Sequence, residues 1–304
     1  MLIPISGSFM DHKESFLQYL KYEKRYSPHT IRSYQNDLNQ FQLYLSTDLD
    51  GIKSADISSH HLRAWIISMM DKGMNPVSVH RKISCLRVFF RWQRKEGIIT
   101  NDPMEKVVLP KRKKTLPSFI REEAMDNLLD NYNFGNDFKG LRNRTIIEML
   151  YLTGIRRSEL IGLKINDIDF SGLTIKVTGK RNKQRIIPLT GHFIRSLREY
   201  IQVREGIRCD ENENHLFITE KGNKLYDKCV YNIVKVYLSM VTTNEKKSPH
   251  ILRHTFATHM LNRGADLNAV KEFLGHANLS ATQVYTHNTF EKLRKIYKQA
   301  HPRA

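Results

Sequence analysis

The sequence has little cysteine. Cys85, Cys209 and Cys229 are the only three, an odd number without metal-type spacing. That argues against a disulfide framework and for a reducing compartment. Long apolar runs are also missing. None approaches the roughly 18 residues that cross a bilayer, so no membrane span is expected. The first ten residues lack a basic start and an extended apolar core, so no signal peptide is expected there either. Internal repeats and low-complexity segments are absent. Acidic residues are outnumbered, with 31 Asp and Glu against 49 Lys and Arg, a formal net charge of +18. Such a balance favours polyanion partners, nucleic acid before anionic membrane. The remainder of the composition, 40% hydrophobic and 26% charged, is that of a soluble globular chain.

At 304 residues, two domains are the natural expectation. Four helical segments lead. Asp11 and Glu14 have capping-box spacing and open a helix carrying Phe16, Tyr19 and Leu20. Ser27-Pro28 starts a second, with Ile31, Tyr34, Leu38, Phe41 and Leu45 at helical spacing. Ser58 starts a third and Asn75-Pro76 a fourth, which ends near Gly97. Four amphipathic helices with short connections make a small bundle. From Lys72 to Lys95 seven residues are basic (Lys72, Arg81, Lys82, Arg87, Arg91, Arg94 and Lys95) and none is acidic. A solvated basic face is the plain reading. The one-sided charge over so long a run favours DNA contact instead, with Arg81, Lys82, Arg87, Arg91 and Arg94 as candidates.

Residues 111–117, bracketed by Pro110 and Pro117, are polar and aperiodic. They read as an extended linker between domains at 1–110 and 118–304. Lys111, Arg112, Lys113 and Lys114 suit a segment lying along a phosphate backbone, though four consecutive cations also suit a targeting signal.

Beyond the linker, helices are expected around residues 124–130 and 141–152. Gly154 ends the second of these, Arg156 starts another, and Glu159 is spaced to brace Arg156. The apolar period then changes to two. Residues 173–177 and 184–189 read as strands joined by a polar turn with Lys180 at its base. Helices follow at 193–204 and 226–240, with a short strand at 216–218 between them. Ser248 caps a further helix with Pro249 at its first position. His250 and Arg253 then share the face of its first turn, where free N–H groups and the helix dipole favour a phosphate. Asp266 caps the next helix and Gly275 ends it, so His276 leaves directly from that turn. Ser280 can cap a short helix containing Tyr285. Each residue has a bland reading, since a lone helical tyrosine or histidine is most often structural. Zinc at His250 and His254 is disfavoured, because Ile251 occupies the glutamate position of the metalloprotease motif and Arg253 would place a cation beside the metal.

Taken in order, TGIRRSEL, GKRNKQRIIPL, SPHILRHTFATHML, LGHANLSATQVYTH and the final HPRA make the chain resemble the tyrosine recombinase family, and within it the Xer-type site-specific recombinases of bacteria. The resemblance covers nearly the whole chain. It implies a mainly α fold, with an N-terminal SAM-like core-binding bundle and a C-terminal helical catalytic domain that carries a small three-stranded antiparallel sheet. It implies cutting and rejoining of duplex DNA through a 3′-phosphotyrosyl intermediate, a type IB topoisomerase-like transesterification. The catalytic set would be Arg156, Lys180, His250, Arg253, His276 and the nucleophile Tyr285, with Glu159 in support and neither metal nor other cofactor. The partners would be a DNA recombination site, a homo- or heterotetramer of recombinases and a division-linked DNA translocase. The setting would be the bacterial cytoplasm and the task the resolution of chromosome dimers. A mobile-element integrase would use the same six residues, a type IB topoisomerase would share the chemistry without pairing two sites, and a catalytically silent DNA-bending protein would need none of the six. Arg157 departs from the family, which often has a small apolar residue there. Near the C-terminus, Phe290, Leu293 and Tyr297 make one apolar helix face. Its commoner fate is packing on its own domain, whereas the resemblance implies docking in a neighbour's groove.

Overall fold

The computed structural model describes residues 9–48, 56–111, 118–179, 182–207, 214–275 and 287–304. The chain divides into two compact units, Met1–Thr115 and Leu116–Ala304.

The first unit is a bundle of α1 (Phe9–Tyr22), α2 (Pro28–Asp48), α3 (Ser59–Asp71) and α4 (Pro76–Lys95). Local signals start three of the four. The Ser27 hydroxyl accepts from the Thr30 N–H at 3.3 Å, His61 Nδ1 accepts from the Ser58 N–H at 3.1 Å, and the Asn75 side chain accepts from the Val77 N–H at 2.9 Å. Helix α1 differs from expectation. It already runs from Phe9, so Asp11 lies inside it rather than at its cap. The reason is tertiary: the Phe9 ring is buried edge-on against Phe41 and Phe89, with centroids 5.6 and 5.2 Å away.

Helix α4 runs through the middle of this bundle and is buried on more than one stripe. Beside the expected Val79, Ile83, Leu86 and Phe90, it also buries Cys85, Phe89, Trp92 and Gln93. Lys82 is buried too, at 4% exposure, and does not belong to the outward basic face. It stands three residues after Val79 and four before Leu86, on the apolar side of the helix. Its ammonium donates to Asp37 Oδ1 at 3.0 Å and to Gln40 Oε1 at 2.6 Å on α2. Arg81 reaches the same carboxylate but keeps half of its side chain in solvent. Arg91, Arg94 and Lys95 are exposed and Arg87 is half-buried. Positions 87, 91 and 94 share one side of the helix. Lys111 is exposed, while Arg112, Lys113 and Lys114 lie outside the described residues.

The second unit opens with α5 (Glu122–Asp126), which continues as a π-helical turn over Asn127–Asn131. Then come α6 (Phe138–Thr153), α7 (Arg157–Gly162), β1 (Ile168–Asp169), β2 (Thr174–Thr178), β3 (Gln184–Pro188), α8 (Gly191–Glu205), α9 (Asp227–Val241), α10 (Pro249–Asn262), α11 (Leu267–Leu274) and α12 (His287–Ala300). The sheet is antiparallel in the order β1-β2-β3, with Ile175 opposite Ile187 and Val177 opposite Arg185. Its third strand is Ile168–Asp169, not the 216–218 segment. Leu216, Phe217 and Ile218 are all buried, and only isolated bridges form around them, His215 with Lys164 and Ile218 with Lys224. A short apolar run needs burial, which does not by itself require a sheet. Among the described residues, no helix is long and apolar enough to cross a membrane.

Helix α12 packs on its own unit. Leu293, Tyr297 and Ala300 are buried in the core shared with α6, α10 and α11. The Tyr297 ring lies 5.9 Å from Phe273 and stacks on His301 at 5.1 Å. Past the helix, Arg303 bonds Asp126 at 2.8 Å and Asp130 at 2.5 Å. Leu293 and Tyr297 of the expected apolar face are thus covered within the chain, whereas the Phe290 side chain lies outside the described residues. Tyr297→Ala should lower the stability of the second unit by about 3–5 kcal/mol, the cost of deleting a buried aromatic ring. Urea unfolding of the full chain at concentrations where it is monomeric would measure this, and an unchanged midpoint would contradict packing within the chain.

Candidate active site

The expected site residues that are described gather where α6, α7, α10 and α11 begin or end. Helix α6 stops at Gly154, which takes the left-handed conformation at φ 59°. Two residues later Arg156 is the N-cap of α7, and Glu159 folds back onto it. Glu159 Oε2 accepts from the Arg156 backbone N–H at 2.8 Å, and Oε1 accepts from its Nη1 at 2.8 Å. This is the bracing that the i, i+3 spacing suggested.

Helix α10 starts as its sequence implies, with extended Ser248 as N-cap and Pro249 at the first position, although the Ser248 hydroxyl makes no capping bond. His250 is exposed in the first turn. One turn on, Arg253 is half-buried between two helix ends. Its Nη1 donates to the Gly154 carbonyl and its Nη2 to the Leu274 carbonyl, both at 2.6 Å. Helix α11 is capped by Asp266, which accepts from the N–H groups of Asn268 and Ala269 at 2.8 and 3.1 Å. It ends at Gly275, left-handed at φ 64°.

The last carbonyls of α11 are shared out among three arginines. Phe273 O accepts from Arg185 Nε at 2.8 Å, Leu274 O from Arg253 at 2.6 Å and Gly275 O from Arg156 Nη2 at 3.3 Å. A helix C-terminus leaves such carbonyls without partners and carries partial negative charge, so cations are favoured there. Among the described residues, Glu159 offers the full negative charge to the cluster. Its own burial works to raise its pKa, but the hydrogen bonds and charge of Arg185, together with the bonds from Arg156, outweigh this and hold it below the usual carboxylate range. Arg253 is pushed down to about 10, first by burial, then by the charge of Arg156, with Arg185 adding to it and Glu159 opposing. A group of three guanidinia around one carboxylate, with Arg156 and Arg253 still open to solvent, is electrostatically short of an anion.

Lys180, His276 and Tyr285 lie outside the described residues. His254 is half-buried. Among the described residues no three His, Cys, Asp or Glu side chains come together as a cluster that would hold a metal ion. Arg157 turns away from Glu159 and pairs with Asp227 at 2.9 Å. Sequence reasoning missed Arg185, the most buried member of the arginine cluster. The signal was present in the strand period: Arg185 and Ile187 share the inward phase of β3, and Ile186 faces out. A charge on the buried phase of a strand calls for a partner, and that partner is Glu159.

Glu159→Gln should cost about 3 kcal/mol at neutral pH, since it leaves the buried guanidinium of Arg185 without its counter-charge. The folded-state pKa of Glu159 is depressed, so its contribution is complete above the unfolded value of about 4.3 and is lost as pH falls through the lower, folded value. Denaturation of wild type and variant at a series of pH values should show two stabilities that converge on the acid side; a gap that persists there would contradict the ion-pair account.

Comparison with known proteins shows the family. The model of the phage integrase family matches residues 118–292, and that of the phage integrase N-terminal SAM-like domain matches residues 14–97. Tyrosine recombinase XerC of Staphylococcus saprophyticus is 40% identical over 297 residues, which cover 96% of this chain and 97% of that protein. Tyrosine recombinase XerC of Chlorobaculum parvum is 37% identical over 317 residues, covering 96% of this chain and 94% of that protein. Among solved structures, the XerH site-specific recombinase bound to a palindromic difH substrate, a post-cleavage complex, superposes with a TM-score of 0.73 at 25% identity, covering 95% of this chain and 83% of that one. With family models matched on both units and relatives this similar along almost their full length, the chain belongs to the phage integrase family, as a site-specific tyrosine recombinase of the Xer type.

Proposed function

We propose that this recombinase acts on duplex DNA at a specific recombination site, with Arg156, Lys180, His250, Arg253, His276 and Tyr285 as its catalytic groups and Glu159 in support. The observation that carries this reading is the meeting of Arg156 and Arg253 at the end of α11, held by backbone carbonyls yet left partly open to solvent. Each has N–H groups to spare for the non-bridging oxygens of a phosphodiester, and the planar fork of arginine suits two-point contact with them.

The chemistry then follows from what each group can do. A free tyrosine has a pKa of about 10, so roughly one in a thousand is ionised at neutral pH. Cations around the phosphate favour the phenolate. Tyr285 Oη attacks phosphorus, His250 takes the phenol proton, and the bond from phosphorus to the 5′ oxygen breaks. Lys180 gives a proton to that leaving oxygen. Arg156 and Arg253 meet the charge that grows on the phosphoryl oxygens, and His276 adds a hydrogen bond. The product is a 3′-phosphotyrosyl link and a free 5′ hydroxyl. Attack by the 5′ hydroxyl of another strand reverses each step, so rejoining needs no nucleotide hydrolysis.

The exposed Arg91 and Arg94, with Arg81 and Arg87 beside them, supply the DNA-contacting face of the first unit, and the basic segment 111–117 joins the two domains along the backbone. On this reading the task is resolution of chromosome dimers in the cytoplasm, on the nucleoid, by a tetramer assembled on two sites and coupled to a division-linked translocase.

Two measurements test the chemistry. Tyr285→Phe removes one oxygen and keeps the ring. It should bind DNA normally and form no covalent complex on a nicked suicide substrate; a protease-sensitive adduct would mean another nucleophile. Lys180→Ala should slow cleavage by about 10²–10⁴, the range for loss of a general acid. A substrate with sulfur at the 5′ bridging position leaves without protonation and should recover most of that loss. Equal defects on the two substrates would remove Lys180 from the role.

A further inference from the structure

Each of the three guanidinium nitrogens of Arg185 already donates a bond within the protein. Its Nε donates to Phe273 O at 2.8 Å, its Nη1 to Glu159 Oε1 at 3.1 Å and its Nη2 to Glu159 Oε2 at 2.8 Å. Its side chain is 6% exposed. A guanidinium so buried is turned toward the protein rather than toward a substrate, and it touches the supports of three groups that would act on a phosphate. Through Glu159 it reaches Arg156, whose Nη1 shares Glu159 Oε1 with it. Through Phe273 O it grips the last turn of α11. At Gly275, the residue before His276, a side-chain carbon would come within 3.1 Å of Arg185 Nη1. At Gly179, the residue before Lys180, a side-chain carbon would lie 3.1 Å from Glu159 Oε1 and 3.7 Å from Arg185 Nη1. Gly179 also closes the hairpin, its N–H donating to Lys183 O at 2.7 Å. Arg185 itself sits on the return strand of that hairpin, opposite Val177.

We infer that Arg185 is a positioning residue of this active site, whose buried guanidinium ties the lysine hairpin, the Arg156–Glu159 pair and the end of α11 into one rigid unit. The inference rests on the proposed catalytic set. Lysine cannot take the place of Arg185, because a single ammonium has no planar fork to reach a carboxylate and a carbonyl along three fixed directions. Stability alone does not call for a buried ion pair here either, since apolar residues of similar volume are often no worse. What an ion pair with three directed bonds adds is geometry. Geometry matters to the reaction because a misplacement of about 1 Å costs on the order of 10²-fold in rate.

The test uses the full chain, a nicked suicide duplex carrying a site that the wild type cleaves, and the variants Arg185→Met, Arg185→Lys, Glu159→Gln and the double variant Arg185→Met/Glu159→Gln. Wild-type adduct formation is the control; without it the proposed function fails, whatever the variants do. Arg185→Met should bind the duplex within about threefold of wild type and form the adduct about 10²-fold more slowly. The double variant should be no slower than the slower single one, because both remove the same brace. The pH profile separates positioning from simple loss of fold. Glu159 faces Arg156 from α7, Arg185 from β3 and Arg253 from α10. Without Arg185, its burial is less well offset, so it titrates closer to neutrality and loosens Arg156 when protonated. The ratio of Arg185→Met rate to wild-type rate should therefore fall as the pH is lowered. Should Arg185→Met not fold, by thermal melting, Arg185→Lys is read in the same assay and should also be slow. A folded Arg185 variant that cleaves at the wild-type rate, a pH-independent ratio, or a double variant whose defect is the product of the two single defects would each overturn the inference.

Discussion

The C-terminal end of α11 holds the second unit's functional region together. Three successive carbonyls, of Phe273, Leu274 and Gly275, each accept a bond from a different arginine, and the three arginines come from β3, α10 and the start of α7. No two of those elements are neighbours in sequence. A helix end is suited to this work because its last carbonyls lack partners and the helix dipole adds partial negative charge. Gly275 lets the chain turn away at once in a left-handed conformation. The same turn that satisfies the arginines thus delivers the chain toward His276.

The cluster separates two roles that one residue type can fill. Arg156 and Arg253 are bonded enough to be fixed and exposed enough to meet an anion, and Arg185 spends every nitrogen on the protein. The depressed pKa of Arg253 reflects what gathering cations costs: burial and the charge of its neighbours disfavour its own charge. Glu159 relieves part of that repulsion. An anion bound beside Arg156 and Arg253 would relieve the remainder.

The first unit solves a related problem by dividing its cations. Helix α4 must pack against three other helices and also present charge. Asp37 on α2 takes Lys82 wholly into the bundle and holds Arg81 by one end, leaving Arg91, Arg94 and Lys95 outside. The buried pair therefore orients the helix, and the orientation sets which basic residues stay exposed.

Much of this was legible in the chain read residue by residue. Asn75-Pro76, Ser248-Pro249, Asp266, Gly154 and Gly275 mark helix ends, and the structure places ends there because capping and left-handed turns depend on a few adjacent residues. The bracing of Arg156 by Glu159 was legible for the same reason. Ordered motifs also sufficed for the family. What tertiary structure decided was whatever depended on residues far apart in sequence. Asp37 turns Lys82 inward from 45 positions away. Glu159 accounts for a charge on the buried phase of β3 from 26 positions away. Burial of Phe9 sets the start of α1, and pairing with β2 makes a strand of Ile168–Asp169 while 216–218 is buried without joining the sheet. The apolar face of α12 was evident from its spacing, but spacing cannot say which surface covers it; the core around Phe273 and His301 does. Local hydrogen bonds and dihedral preferences are written in short stretches of sequence, whereas the partner of a buried charge or an apolar face exists only once distant segments have packed.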